Sequence, residues 1–149
     1  MRSNKNLTIT MSFDESPKKV FDAIANVRGW WAEDLKGSSN KLGGKFTYQY
    51  KDIHKSTQKV TEFVPNKKIV WHVTESNLSF LKQKDEWTGT DVIFEISKKG
   101  DKTQLRFTHV GLTPDVECYD ACFEGWGYYI KKSLKSLIKT GEGKTNPEW

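Results

Sequence analysis

The sequence predicts an α+β protein in which an antiparallel sheet packs against a long C-terminal helix. An alternating segment and a helical segment come first, about five short alternating segments follow, and residues 115–140 form a long amphipathic segment. Connections of hairpin length favour antiparallel pairing, and helices grouped on one side of such a sheet give two layers. The chain has 149 residues, so we expect one domain over residues 1–149.

The first two elements have clear boundaries. Residues 7–13 alternate between apolar and polar side chains, which is typical of a half-buried strand. Ser16 can cap a following helix, and Pro17 suits its first position. The apolar residues repeat at helical spacing and are Val20, Phe21, Ile24 and Val27. We expect the helix to end just before the Trp30–Trp31 pair, one of which anchors the junction in the core while the other can edge a cavity.

The middle of the chain is predicted to be a meander of strands. Residues 33–45 are rich in glycine and serine and indicate a loop, whereas residues 53–64 read as a longer polar strand. Residues 65–66 and 100–101 indicate turns. The in-phase residues of the other strands are Phe46, Tyr48, Tyr50, Ile69, Trp71, Val73, Val92, Phe94, Ile96, Leu105, Phe107 and His109.

The three histidines differ in their phase. His109 shares the phase of the apolar residues around it and should point inward, where it contacts a ligand or is satisfied at the sheet rim by backbone or a carboxylate. His54 and His72 have the opposite phase and read as structural or exposed. In the connection over residues 75–87, three apolar residues either anchor a loop or form a mobile lid, and these are Leu78, Phe80 and Leu81.

The C-terminal helix changes character along its length. Its apolar half consists of Tyr119, Cys122, Phe123, Trp126, Tyr129, Ile130, Leu134, Leu137 and Ile138. Residues 130–138 are aliphatic and predict ordinary core, whereas residues 123–129 combine aromatic rings with two glycines. Gly125 falls on the polar side and Gly127 at the edge of the apolar arc. Gly127 either accommodates a bulky core residue such as Trp71 or marks a helix end that covers an aromatic cavity.

Composition and charge exclude several classes of function. The net charge is +5, but the lysines are spread along the chain among 19 acidic residues, and no arginine-rich run or RNA-binding signature is present, so we expect no nucleic acid. The N-terminal segment lacks the apolar core of a signal peptide, and no run approaches the roughly 20 apolar residues that span a bilayer. Cys118 and Cys122 lie one turn apart in the predicted helix, a poor geometry for a disulfide, so we expect two reduced thiols and a cytoplasmic protein.

Several segments together resemble one protein family. They are SPKKVFDAIANVRGWW, the Gly43–Gly44 turn before KFTYQY, KKIVWHV, WTGTDVIFEI, TQLRFTHVGL and FEGWGYYIKKSLKSLIKTGEG. In this order, over residues 7 to 141, the chain resembles single-domain, mostly bacterial homologues of the heat-shock-protein-90 ATPase activator. These belong to the START-like (Bet v 1-like, SRPBCC) superfamily. The resemblance implies a helix-grip fold, in which a curved sheet wraps around the long helix and encloses a deep cavity.

The resemblance also implies possible partners. Many START-like proteins bind hydrophobic small molecules such as lipids, sterols or polyketides. The eukaryotic co-chaperone has a further N-terminal domain that contacts the chaperone, and we do not expect that domain in a chain of this length. The resemblance therefore predicts a shared fold more directly than a shared activity.

The favoured hypothesis is a binding module for a small hydrophobic or amphipathic molecule. Its walls come from the in-phase rows and the helix, with His109 or Tyr50 as a polar contact. The candidate ligand-binding residues are Tyr48, Tyr50, Trp71, Phe94, Phe107, His109, Phe123, Trp126 and Ile130. A second hypothesis is a chaperone or stress-response partner that acts through its lysine-rich helix face.

Catalysis and metal binding have weaker support. A START-like cyclase or hydrolase would need a nucleophile that we do not find, because the sequence has no elbow motif, phosphate loop or paired histidine motif. Cys118, Cys122 and His109 lack the fourth donor of a structural zinc site. We therefore expect no enzyme activity, no metal and no cofactor.

Overall fold

A computed structural model describes residues 6–32, 35–51, 54–79, 82, 84–113 and 119–145. Within these residues, seven antiparallel strands form one sheet in the order β1-β7-β6-β5-β4-β3-β2. The strands are β1 (Leu7–Phe13), β2 (Lys36–Gly37), β3 (Lys45–Tyr50), β4 (His54–Val64), β5 (Lys68–Leu78), β6 (Asp91–Lys99) and β7 (Lys102–Val110). The helices are α1 (Pro17–Ala25), α2 (Tyr119–Tyr128) and α3 (Lys135–Thr140), with a short 3₁₀ turn (Val27–Gly29) after α1 and a π-helical segment (Tyr129–Leu134) between α2 and α3. The predicted α+β class is confirmed.

From β2 to β7, each strand pairs with the next strand in the chain and forms a meander. Strand β1 pairs with β7 and forms the edge of the sheet opposite β2. Leu7 of β1 lies opposite His109 of β7, and Phe13 lies opposite Thr103. The short strand β2 lies within the predicted loop over residues 33–45, which the sequence did not indicate because its two residues carry no alternation. It pairs with Thr47 and Phe46 at the edge of the sheet.

Strand β5 is longer than the sequence predicted. Residues 75–78 were expected to begin a loop, but they continue β5, and Leu78 at its end is fully buried. Residues 75–78 belong to β5 because they pair with β4, where Leu78 lies opposite His54. Glutamate and asparagine have low strand propensity, and this segment shows no apolar alternation, so its pairing with the long neighbouring strand decided the structure here. Phe80 and Leu81, which were considered for a lid, lie outside the described residues.

The first helix begins as predicted. The Ser16 hydroxyl accepts a hydrogen bond from the Lys19 backbone N–H at 3.2 Å, and Pro17 occupies the first turn. Trp30 follows the 3₁₀ turn and is fully buried, and its Nε1 donates to the Ile24 carbonyl oxygen at 3.2 Å. Trp30 is therefore the member of the tryptophan pair that anchors the junction in the core.

The C-terminal helix runs without a break for 22 residues and packs against the sheet in a helix-grip-like arrangement. The predicted aliphatic core is confirmed, because Ile130, Leu134 and Ile138 are fully buried. The π-helical segment was not expected, since nothing in the pattern of apolar residues distinguishes it from an α-helix. Within it, the Ser133 hydroxyl donates to the Trp30 carbonyl oxygen at 2.6 Å and accepts from the Lys144 N–H at 2.8 Å. Through Ser133, the π-helical segment is thus hydrogen-bonded both to Trp30 and to the residues that follow the helix, at Lys144.

The expectation of two reduced thiols is wrong for Cys122, which is disulfide-bonded. Cys118 lies outside the described residues. The prediction rested on the assumption that a regular helix includes both cysteines, where a disulfide has poor geometry. None of the helices in the described part of the chain is long and apolar enough to span a membrane.

Candidate functional site: an aromatic cavity under the C-terminal helix

A cavity of about 340 Å³ lies between α2 and the β3–β4 side of the sheet. Strand β3 supplies two tyrosines, β4 a histidine, and the connection after β5 a tryptophan, while α2 and the π segment form the opposite wall. The lining residues are Trp31, Tyr48, Tyr50, His54, Trp87, Ala121, Cys122, Glu124, Gly125, Trp126 and Tyr129.

Three buried tryptophans hold the walls in place. The Trp31 ring is stacked on Tyr48 at a centroid distance of 4.3 Å and an interplanar angle of 15°. Trp126 lies 5.1 Å from Trp31 and stacks on Trp87 at 5.6 Å, with an angle of 9°. Each such ring pair contributes about 0.5–1.5 kcal/mol beyond its buried area. The walls of the cavity are therefore mainly apolar and consist largely of aromatic rings in contact with one another.

Two tyrosine hydroxyls form a hydrogen-bonded pair of polar groups in these apolar walls. The Tyr48 and Tyr129 Oη atoms lie 3.1 Å apart, and both residues are buried. Burial, together with the neighbouring Tyr48, raises the pKa of Tyr129 above its ordinary value. The Tyr129 phenol consequently stays neutral at physiological pH, and the two hydroxyls can give or accept hydrogen bonds.

His54 lines the cavity as well, contrary to the expectation that it is structural or exposed. Its Nε2 lies 3.0 Å from the Ser56 Oγ, which also accepts a hydrogen bond from the Gln58 amide at 2.6 Å. Strand β4 has register shifts between Thr57 and Gln58 and between Val60 and Glu62, and its inward row at this end is polar. The sequence could not reveal this row, because polar residues that face inward leave no apolar alternation to detect. Burial lowers the pKa of His54 to about 3, so the imidazole is neutral.

His109 points inward as predicted, but it lies behind the cavity wall and not on its surface. The Trp126 Nε1 donates to the His109 Nδ1 at 3.1 Å, and the His109 Nε2 lies 2.8 Å from the Thr90 Oγ1. The Thr90 hydroxyl gives its own proton to the Trp87 carbonyl oxygen at 2.5 Å, so the Nε2–H of His109 is the donor to Thr90.

This geometry fixes both the protonation and the role of His109. Burial, reinforced by the nearby His54, lowers the pKa of His109 to about 3, and the ring is neutral. Both of its nitrogens bind protein, so the geometry does not support the proposed contact between His109 and a ligand. The residue instead ties Trp126 to the rim of the sheet.

The predicted ligand-binding residues separate into three groups. Tyr48, Tyr50 and Trp126 line the cavity. Phe123 is 37 % exposed and does not line it. The remaining predicted residues are fully buried in the core, and these are Trp71, Phe94, Phe107, His109 and Ile130.

Sequence reasoning missed part of the lining. Trp87 was overlooked because it lies in a connection without periodicity. Trp31 belongs to the tryptophan pair of which one member, left unspecified, was predicted to edge a cavity. Of the two helix glycines, Gly125 lines the cavity, and Gly127 does not. A Cβ built at Gly127 would meet no atom within 4 Å, so the idea that this glycine accommodates a bulky core residue is not supported.

The described residues contain no group of three or more His, Cys, Asp or Glu side chains that could hold a metal ion. Of the proposed donor set, Cys122 is disulfide-bonded and His109 is bound by Trp126 and Thr90. The chemistry that remains at the cavity is apolar contact, neutral hydrogen bonding and the Glu124 carboxylate.

A family model supports the resemblance inferred from the motifs. The model described as "Activator of Hsp90 ATPase homolog 1-like protein" matches residues 6–139, which is nearly the whole chain. The chain belongs to this family. Solved structures agree with the Activator of Hsp90 ATPase homolog 1-like fold, and a search among curated proteins finds no match.

Three of these structures illustrate the likeness. The Aha1 dimer from Colwellia psychrerythraea, solved in solution, superposes with a TM-score of 0.74 at 23 % identity, covering 93 % of this chain and 98 % of that one. Protein SSP2350 from Staphylococcus saprophyticus gives 0.69 at 17 % identity, with coverages of 95 % and 97 %. Protein MLL2253 from Mesorhizobium loti gives 0.68 at 20 % identity, with coverages of 88 % and 96 %. At such identities the likeness shows the fold alone.

Proposed function

We propose that the protein binds a small hydrophobic or amphipathic molecule in the cavity between the sheet and the C-terminal helix. The observation that carries this proposal is the aromatic cavity of about 340 Å³, a size within the range of small-molecule sites. Neutral polar groups at Tyr48, Tyr129 and His54 can orient such a molecule without requiring a charged ligand. No catalytic step forms part of the proposal.

The first experiment compares the native and denatured masses of the freshly purified protein. A retained adduct of a few hundred daltons, the size of ligands that fill such sites, supports the proposal and identifies the chemical class. The second experiment titrates the protein with N-phenyl-1-naphthylamine, an uncharged dye that becomes fluorescent in apolar surroundings. Saturable binding at a ratio of one dye per chain is the expected result.

Two glycine variants locate the binding. Gly125→Leu places a side chain in the cavity wall and should weaken dye binding at least tenfold, whereas Gly127→Leu adds the same side chain outside the lining and should leave binding unchanged. Neither glycine has a positive φ, and neither Cβ meets an atom within 4 Å, so both variants should fold. Equal dye affinity in Gly125→Leu and the unmodified protein would place the dye elsewhere and refute the proposed site.

A second candidate function is an interaction with a chaperone of the Hsp90 type. It is favoured by the family description and by four exposed lysines on the outer side of the C-terminal helix, which are Lys131, Lys132, Lys135 and Lys139. Replacing all four by glutamate should abolish binding to purified Hsp90 at low salt. Absence of binding by the unmodified protein at low salt would refute this candidate.

Oligomeric state and location are also proposals. The Colwellia protein was solved as a dimer, and a dimer of this chain is testable by sedimentation. A cytoplasmic location was expected from the cysteines, but the disulfide at Cys122 argues for a more oxidising compartment, because stable disulfides are rare in the cytosol.

A further inference from the structure

The charge of the cavity is opposite in sign to the charge of the whole chain. The chain carries a net charge of +5, yet among the described residues that line the cavity only Glu124 has a formal charge at neutral pH. Tyrosines, tryptophans, a disulfide-bonded cysteine and small residues make up the rest of the lining, apart from His54, which burial keeps neutral. The cavity wall thus offers a fixed negative charge and no fixed positive charge.

Glu124 lies at the mouth of the cavity. It is exposed, it belongs to α2, and it precedes Gly125, whose missing side chain leaves open space beside it. Among the described residues, no ion pair or hydrogen bond involves the Glu124 carboxylate. A cationic group of a bound molecule could therefore approach this carboxylate without displacing a cation of the protein from it.

The rings near the mouth are also suited to a cation. Tyr50 lines the cavity, and the ammonium of the neighbouring Lys51 lies 5.3 Å from the centroid of its ring. In this contact one face of the Tyr50 ring holds an ammonium group of the protein itself, as expected from the attraction of a cation to the negative face of an aromatic ring. Lys51 itself is not part of the cavity lining.

We propose that the occupant of the cavity is an amphipathic organic cation, such as an alkyl or aryl amine, and not a fatty acid or another carboxylate. Its apolar body would lie among Trp31, Trp87 and Trp126, and its ammonium group at the mouth beside Glu124. This inference rests on the proposed binding function and adds the chemical class of the ligand.

The test uses three molecules with the same chain and different head groups. Octylammonium, octan-1-ol and octanoate each compete with N-phenyl-1-naphthylamine for the protein at neutral pH and low salt. We expect octylammonium to compete roughly fivefold more tightly than octan-1-ol, the effect of one partly solvated charge contact with an aromatic neighbour, and octanoate most weakly. The preference for octylammonium should shrink at high salt, because exposed charges are then screened.

Matched variants attribute the preference to one carboxylate. Glu124→Gln keeps the shape of the side chain and should remove most of the preference for octylammonium while leaving octan-1-ol affinity within about twofold. Glu142→Gln, beyond the far end of the same helix, removes a carboxylate with no role at the cavity and should leave the preference intact.

The outcomes separate the inference from the proposed function. Competition by octan-1-ol with no advantage for octylammonium, or tighter binding of octanoate, overturns the cationic ligand while the binding cavity stands. Retention of the full preference in Glu124→Gln overturns the role of that carboxylate. Failure of the dye and of all three competitors to bind overturns both the inference and the binding function.

Discussion

Lowering the pH should begin to destabilise this protein at pH values well above those at which carboxylates become protonated. The reason is that the fold holds two interior histidines neutral. Both His54 and His109 have pKa values lowered to about 3, chiefly by burial. In the unfolded chain a histidine has a pKa of about 6.5. Between these two values the unfolded chain binds protons that the folded protein does not, so the free energy of unfolding falls as the pH falls through this window.

The size of the effect follows from the two pKa values. Between about pH 7.5 and about pH 5.5, one histidine with these values lowers the free energy of unfolding by about 1.4 kcal/mol. The two histidines together give about 3 kcal/mol, a large part of the 5–15 kcal/mol typical of a domain. Below about pH 3 the folded protein would bind these protons as well, and the loss would level off.

Urea unfolding followed by tryptophan fluorescence at the two pH values measures this loss. In His109→Gln, the amide can still accept from the Trp126 N–H or donate to Thr90, but it does not titrate, so the pH-dependent loss should be about half that of the unmodified protein. His72→Gln is the matched control. His72 pairs with Asp91 of the neighbouring strand, and both side chains are partly exposed, so this variant retains both interior histidines and the full loss.

Two results would refute the reasoning. Equal stability of the unmodified protein at both pH values would mean that His54 and His109 are not held neutral by the fold. A full loss in His109→Gln would show that the interior histidine behind Trp126 does not cause the pH dependence.

Three further changes test the fold. Ser133→Ala removes the hydroxyl that bridges Trp30 and Lys144, and it should lower the free energy of unfolding by about 1–3 kcal/mol in urea unfolding. The control is Ser12→Ala at an exposed serine, which should change the free energy of unfolding by less than about 0.5 kcal/mol. Gly37→Ala should cost at least about 1 kcal/mol more than Gly43→Ala. Both glycines have a positive φ, but only at Gly37 would the new Cβ clash with a backbone oxygen, that of Lys45. Equal melting temperatures of the two variants would contradict this. Denatured but unreduced protein should take up no iodoacetamide at Cys122, and modification before reduction would show that the disulfide is absent.

The sequence was sufficient for the elements whose burial follows a simple period. Alternation in β1 and helical spacing in α1 reflect one buried face each, and Pro17 with its Ser16 cap marks a boundary through local backbone chemistry. Such signals are local, so they survive without knowledge of neighbouring elements. The order of these elements then restricted the fold to a sheet with a long helix packed against it.

The cavity itself depended on contacts that no local pattern encodes. His54 faces inward at the end of a polar row with Ser56 and Gln58, Trp87 reaches Trp126 from an aperiodic connection, and His109 is separated from the cavity by Trp126. A period identifies which face of an element is buried, but not whether that face meets another ring or an open space. The sequence by itself thus determined the family, the layers and most of the aliphatic core of this protein. Only the tertiary structure decided which aromatic rings fill the interior and which surround a cavity, because that difference lies in how side chains from distant segments pack together.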